Sequence, residues 1–257
     1  MKGRRRALAI EIWLPVSLLV IWWFATKNGS FLEFPPVRLI FERFREEYFF
    51  GRFSSDVLPS LVHLALGYGI AATLGVAGGL VIATVPWAEA AASPYVHFFR
   101  ALPPPAIVPI SIILLGLGVT MKTSIIVLGA VWPILLNTID GVRGLDGTLL
   151  ETARACQLGR RYRLTHVIAP GAAPQIMTGL RSGLQISILL MAVSEMVAST
   201  NGIGYLLLLS QQQFLIADLW AGMIYLGLLG YLLNALFNVG ERVVLKWHFG
   251  ARVGGAL

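Results

Sequence analysis

Apolar residues run in long, nearly unbroken blocks along this chain, and polar residues gather in the short stretches between them. About 20 apolar residues in a helix cross a bilayer. Such blocks lie at about 7–25, 60–85, 104–118, 122–140, 175–198 and 218–241. The third is short and opens in prolines. The pattern predicts an all-α membrane protein of about six transmembrane helices. They form one domain over 1–257, with its core at about 60–241. No low-complexity segment or strong internal repeat interrupts them.

Composition agrees with the pattern. The 257 residues are 56% hydrophobic and 13% charged, with mean hydropathy +0.75. Soluble chains carry about 25% charged residues. The net charge of +7 reports orientation in a membrane protein, and nucleic acid is not an expected partner. Cys156 is the one cysteine, so neither an intrachain disulfide nor a cysteine zinc cluster can form. His63, His97, His166 and His248 lack ligand spacing, and no metal site is expected.

The N-terminus, MKGRRRALAIEIWLPVSLLVIWWFATKNG, mimics a signal peptide. No small-residue cleavage site follows, and Trp22, Trp23 and Phe24 suit an interfacial belt. It reads as an uncleaved first span. Glu11 reads as an interfacial or interhelical contact near its basic end. With the N-terminus inside, the inner segments hold 14 lysines and arginines and the outer segments 6. Lys2, Arg100, Arg143, Arg154, Arg181 and Arg252 are among the inner set; Lys27, Arg38, Arg52 and Lys122 are among the outer. Both termini are therefore expected in the cytoplasm.

Two of the remaining stretches have structural readings. FPPVRLIFERFREEYFFGRF alternates charge with large apolar residues and suits a short helix on the outer membrane surface. In the second span Ala71, Gly75 and Gly79 are four apart, a ridge for close helix packing.

The segment ETARACQLGRRYRLTHVIAPGAAP, residues 151–174, is a basic, helix-like island on the inner side. Thr148 and Glu151 have the spacing of a capping box, and Asp146 is a rival cap. A helix is predicted through ETARACQL, then a turn near Gly159, then a second helix that Pro170 and Pro174 halt before span five. The first helix is predicted to expose Ala153, Arg154, Ala155 and Gln157. Arg160, Arg161 and Arg163 have two readings, a grip on a soluble partner or on anionic lipid at about 1 kcal/mol each. The composition fits a docking knob or a plain basic loop.

This island resembles the EAA loop of membrane permease subunits of bacterial ABC importers, in the nitrate/sulfonate/taurine branch. Glu151 and Ala153 match, and so does the spacing to Pro170. Thr152 replaces the first alanine, Ala169 the leucine before proline, and Gln157 the usual glycine, with Gly159 two residues later. A glutamine there would stiffen or shift the turn. The resemblance covers nearly the whole chain. SLVHLALGYGIAATLGVAGG resembles the family's second span, with His63 where arginine is usual. PYVHFFRALPPPAIVPISIILLGLG resembles its third span, and TGLRSGLQISILLMAVSEMVASTNGIGYLL its fifth.

The resemblance implies a type I ABC importer permease fold with a cytoplasmic coupling helix between spans four and five, in a loop at about 141–174. It implies a bacterial inner-membrane location. It also implies a second permease copy, read as a homodimer, two ATPase subunits and an external solute-binding protein. ATP and Mg would be held by the ATPase and no cofactor by this chain. In keeping with that, GLGVTMKT at 116–123 has Met121 where a phosphate loop needs glycine before Lys122. Relatives carry small anions such as nitrate, bicarbonate and sulfonates, and others carry aromatic or pyrimidine-like solutes.

Ionisable groups inside a membrane are costly and mark function. In span five Thr178, Arg181, Gln185, Ala192, Glu195 and Ser199 fall within about a third of the helix circumference. The stripe reads as a pore wall or as a hydrogen-bonded packing face. Arg181 and Glu195 are about 21 Å apart and do not pair within the helix. Arg100 and Pro104, in RALPPPAIVPI, read as part of an inner gate or as a loop-to-helix entry. A secondary transporter is the alternative, but it needs a charge network and often shows inverted repeats. No HExxH, GxSxG or paired catalytic carboxylates suggest an intramembrane enzyme.

Overall fold

The computed structural model describes residues 2–26 and 33–246. Lys27, His248 and Arg252 lie outside the described residues, as do the side chains of Lys2 and Glu11. In chain order the helices are α1 (Lys2–Thr26), α2 (Val37–Arg45), α3 (Leu58–Thr84), α4 (Pro86–Ala101) and α5 (Val108–Leu115). They continue with α6 (Val119–Arg143), α7 (Gly147–Ala155), α8 (Arg160–Arg163), α9 (Ala169–Ala198), α10 (Ile203–Gln212) and α11 (Ile216–Val244). No strand occurs among the described residues.

Four helical stretches are long and apolar enough to cross a membrane: 53–84, 119–143, 160–197 and 216–244. The expected third span is half of a broken pair. Helix α4 and the segment Pro104–Leu115 meet at 90°, the geometry of a broken span or a re-entrant loop, and add a fifth crossing only if the pair is one span. The prolines of LPPP remove backbone donors at the corner, so the helix cannot continue through it. The 25-residue α1 occupies the place of the first expected span.

Helix α6 is the axis of the bundle, packed along its length by α3 on one side and α9 on the other. Small residues make this approach close. A Cβ on Gly75 of α3 would lie 2.7 Å from the Ile134 side chain, and so would one on Gly183 of α9. Ile134 is thus gripped between two glycines. The ridge predicted at Ala71, Gly75 and Gly79 is this contact, and Gly67 extends it toward Ile126. Lipid tails do not drive apolar helices together, so backbone proximity and dispersion contacts do that work. Met121, Ile125, Leu190, Met191 and Ile203 fill the core beside it.

Helix α2 forms where the surface helix was expected. It is not free on the membrane: Ile40 is buried, and Arg43 pairs with Asp218 of α11 at 3.4 Å. Outward-facing apolar side chains on α1, α5 and α11, among them Leu18, Ile113 and Leu232, are left for lipid or other subunits.

Candidate functional site

The island between α6 and α9 is helix–turn–helix, as the sequence predicts. Its cap differs. Asp146 Oδ1 accepts the Thr148 N–H at 2.9 Å, so Asp146 caps α7 and Thr148 lies inside its first turn. A carboxylate at a helix N-terminus is a stronger acceptor than a hydroxyl and suits the helix dipole. Thr148 instead accepts Thr152 Oγ1 on its carbonyl, and Glu151 is exposed.

The helix ends in a Schellman motif. The Gln157 N–H donates to the Arg154 carbonyl at 2.9 Å and the Leu158 N–H to that of Ala153 at 3.2 Å. Gln157 takes φ +54°, the left-handed conformation that favours glycine. The glutamine therefore adopts the turn conformation that glycine favours. Left-handed backbone costs a side-chain-bearing residue about 1–2 kcal/mol. Gln157→Gly should accordingly stabilise the protein by about 1 kcal/mol, read as a higher thermal unfolding midpoint. A lower midpoint would contradict the strain at this turn.

Arg154, Ala155, Gln157, Gly159, Arg160 and Arg161 are exposed. Ala153 is not: it is buried, because α7 lays its one covered face against the turn at Leu164–Ile168. The predicted stop at Pro170 and Pro174 also fails. Residues 160–197 form one helical stretch. A π-turn at Leu164–Ile168 widens the helix just before Pro170, with the Ala169 N–H bonding back to Leu164. Pro170 then falls in the first turn of α9, where its ring is tolerated. The stretch is about 57 Å long, well beyond the 30 Å of a hydrocarbon core. The basic island is thus the protruding end of a central bundle helix.

Burial divides the span-five stripe. Thr178 and Gln185 are exposed, Arg181 and Ser199 half-buried, and Ala192 and Glu195 buried. Gln175, with Ser182 partly exposed, extends the polar face of Thr178 and Gln185. The Gln175 side chain donates to Asn137 Oδ1 on α6 at 2.9 Å. Arg181 turns toward α11, where it pairs with Glu241 and lies 5.9 Å from the Phe237 ring centre. At the bend, Pro104 is half-buried and Arg100 exposed. Arg100 lines a cavity of about 270 Å³ with His97, Asp140 and Arg143, and Arg143 pairs across it with Glu89 of α4.

Glu195 belongs to a polar cluster at the end of the bundle opposite the island. Helix α10 starts inside the protein, so its first amides need acceptors. Asp56 Oδ1 accepts the Gly202 N–H at 2.9 Å, Ser60 Oγ that of Ile203 at 3.0 Å and Glu195 Oε2 that of Gly204 at 3.1 Å. Ser60 also donates to Glu195 Oε2 at 2.8 Å. Three side chains from two distant segments, Asp56 and Ser60 in one and Glu195 in the other, thus cap one buried helix. A Cβ on Gly202, at φ +117°, would lie 2.5 Å from the Glu195 carboxylate, so glycine is required there. His63 Nδ1 stands 3.5 Å from Glu195 Oε1. Lys122, placed by charge counting on the outer surface, is buried and donates to Ser199 Oγ at 2.6 Å.

Sequence reasoning missed Asp56, Ser60 and Lys122 at this cluster and did not connect His63 to it. One signal was present: the glycines of NGIG before an apolar run mark a helix start that needs caps.

The chain is similar in sequence to the putative aliphatic sulfonates transport permease protein SsuC of Bacillus subtilis (strain 168). The two are 30% identical over 236 residues, covering 91% of this chain and 86% of SsuC. It is likewise 30% identical over 242 residues to the bicarbonate transport system permease protein CmpB of Synechococcus elongatus, covering 90% and 87%. Its fold is similar to a chain in inward-facing structures of the MetNI methionine ABC transporter. The TM-score is 0.63 at 17% identity, covering 74% of this chain and 94% of that one. Residues 75–247 match the family described as the binding-protein-dependent transport system inner membrane component. An all-helical bundle with a protruding basic island, a fold shared with an ABC transporter and a match over more than half its length together place the chain in that family of importer permeases.

Proposed function

We propose that this permease and a second copy of itself line the path of a small anion through the membrane, and that its residues 141–174 dock on a partner ATPase. The observation that carries this reading is the exposed polar face of α9. Gln175, Thr178, Ser182 and Gln185 lie along a helix inside the bilayer span. Polar side chains in a membrane face the protein interior or water, not lipid tails. The same helix continues into the island at Arg160, so a push on the island moves the wall of the path.

The second copy would cover the apolar surface of α5, where Ile113 and Leu114 stand outward. ATP and Mg belong to the ATPase pair in this reading, and an external binding protein delivers the solute. The charge bias puts both termini in the cytoplasm. Sulfonate and bicarbonate, named for the relatives, are both anions. Arg160, Arg161 and Arg163 serve the ATPase, anionic lipid, or both.

The chain purified alone should not hydrolyse ATP. Reconstituted with its ATPase and binding protein, it should import its solute only when ATP is supplied. Robust hydrolysis by the single polypeptide would overturn the permease assignment. Uptake driven by a proton or sodium gradient without ATP would establish the secondary-transporter reading instead.

A further inference from the structure

Between the first turns of α3 and α6 and the turn that ends α9 is a cavity of about 470 Å³, lined in part by His63, Gly118, Lys122, Ser199, Thr200 and Asn201. We propose that this cavity is a binding station for a small oxyanion, held by Lys122 and the free amides at the start of α6. The proposal rests on the importer reading above and names a site within it.

Lys122 is only 5% exposed, and its ammonium has three donors. Among the described residues it uses one, to Ser199 Oγ. An ammonium with free donors inside a membrane protein is costly unless a ligand or water meets it. Helix α6 begins at the same wall. Its N-cap is Gly118, at φ +151°, and no side chain caps it. The amides of Val119, Thr120 and Met121 therefore have no acceptor within the helix, and the positive end of its dipole opens on the cavity. Buried His63 lines the wall, with its Nδ1 turned to Glu195 Oε1 and covered from solvent.

Of the nearby carboxylates, Asp56 holds one amide of α10 and Glu195 Oε2 another, while Glu195 Oε1 has no hydrogen-bond partner. Asp56 and Glu195 do not line the cavity; they hold the amides of α10 behind its wall. Glu195 Oε1 stands behind His63 at 3.5 Å. What faces the space is thus a cation, the start of a helix, an imidazole and hydroxyl or amide side chains, beside an apolar wall of Pro59, Leu117, Val119 and Val197. That set matches the oxygens of a trigonal or tetrahedral anion. The cavity lies at the end of the bundle opposite the island, where a solute released by an external binding protein would arrive first. A lipid phosphate headgroup presents the same oxygens, so the test must separate the two.

The test uses the purified complex of permease and ATPase in nonionic detergent, without binding protein. Nitrate, bicarbonate and ethanesulfonate are titrated by calorimetry. At least one should bind saturably, once per permease copy. Lys122→Met should weaken it by about tenfold or more, the loss of one charge-assisted hydrogen bond, and Lys122→Arg should retain most of the affinity. Thr200→Trp leaves every charge in place and fills the mouth of the cavity; it should abolish binding. No saturable binding by any of the three ions, or wild-type affinity in both Lys122→Met and Thr200→Trp, overturns the proposal. So does occupancy by phosphatidylglycerol when none of the ions binds in its absence. ATP-driven uptake by the same wild-type complex, with binding protein added, is measured in parallel. Uptake without anion binding sinks the station alone, and absence of uptake sinks the importer reading.

Discussion

A Glu195→Ala variant is expected to lose about 3–5 kcal/mol of stability and to unfold at a clearly lower temperature than the parent. Glu195 Oε2 takes two buried hydrogen bonds, from Ser60 and from the first turn of α10. Each bond to a charged group contributes about 1.5–3 kcal/mol, and its removal leaves a donor unsatisfied. Alanine also opens space beside Gly202 and Gly204, which are glycines because the carboxylate and the α9 backbone press on them. Glu195→Gln is the control. Its amide oxygen can keep both donors as neutral hydrogen bonds, so its midpoint should fall clearly less than that of Glu195→Ala. The check is thermal unfolding of the purified complex together with solute uptake. If Glu195→Ala keeps its midpoint and loses only uptake, the carboxylate acts on the transport path and not as the anchor of α10.

Ala155→Trp is expected to separate the permease from its ATPase while leaving its own fold intact. Ala155 is exposed near the end of α7, beside Arg154 and Gln157, so an indole there meets a partner and not the core. A clash at a docking surface that costs about 1.4 kcal/mol weakens association tenfold, and a tryptophan in a close-packed groove costs more. Co-purified ATPase and uptake-coupled hydrolysis should both fall at least about tenfold, with an unchanged unfolding midpoint. Ala153→Trp should behave differently. Ala153 is buried against the π-turn that joins α8 to α9, so overpacking of about 1–3 kcal/mol should lower the midpoint as well. Intact co-purification and coupled hydrolysis in Ala155→Trp would make the island a plain basic loop.

The apolar blocks, the basic island and its order between two spans were legible along the chain, because length and charge are properties of sequence alone. So was the ridge of Ala71, Gly75 and Gly79, since its spacing puts small residues on one helix face whatever lies opposite. The left-handed turn after α7 was harder to read. Gln157 hid it, because the motif is held by backbone bonds from Gln157 and Leu158 and does not require the glycine that usually marks it. The stop expected at Pro170 failed for a related reason: a π-turn moves one hydrogen bond and lets the helix absorb the ring.

Periodicity put Thr178, Gln185, Ala192 and Glu195 on one face of α9, and that much the sequence by itself determined. Tertiary structure decided that the face changes character along its length. Helix α10 folds back over Ala192 and Glu195, whereas among the described residues no element covers Thr178 and Gln185. The pairing of Arg181 with Glu241, the three-sided cap of α10 and the burial of Lys122 beside Ser199 were decided in the same way. Apart from the Glu195–Gly204 bond, each joins residues some 60 to 146 positions apart. Helical spacing specifies which side chains share a face, because that geometry is local. It cannot specify what the face meets, because burial and partner choice arise only when distant helices pack.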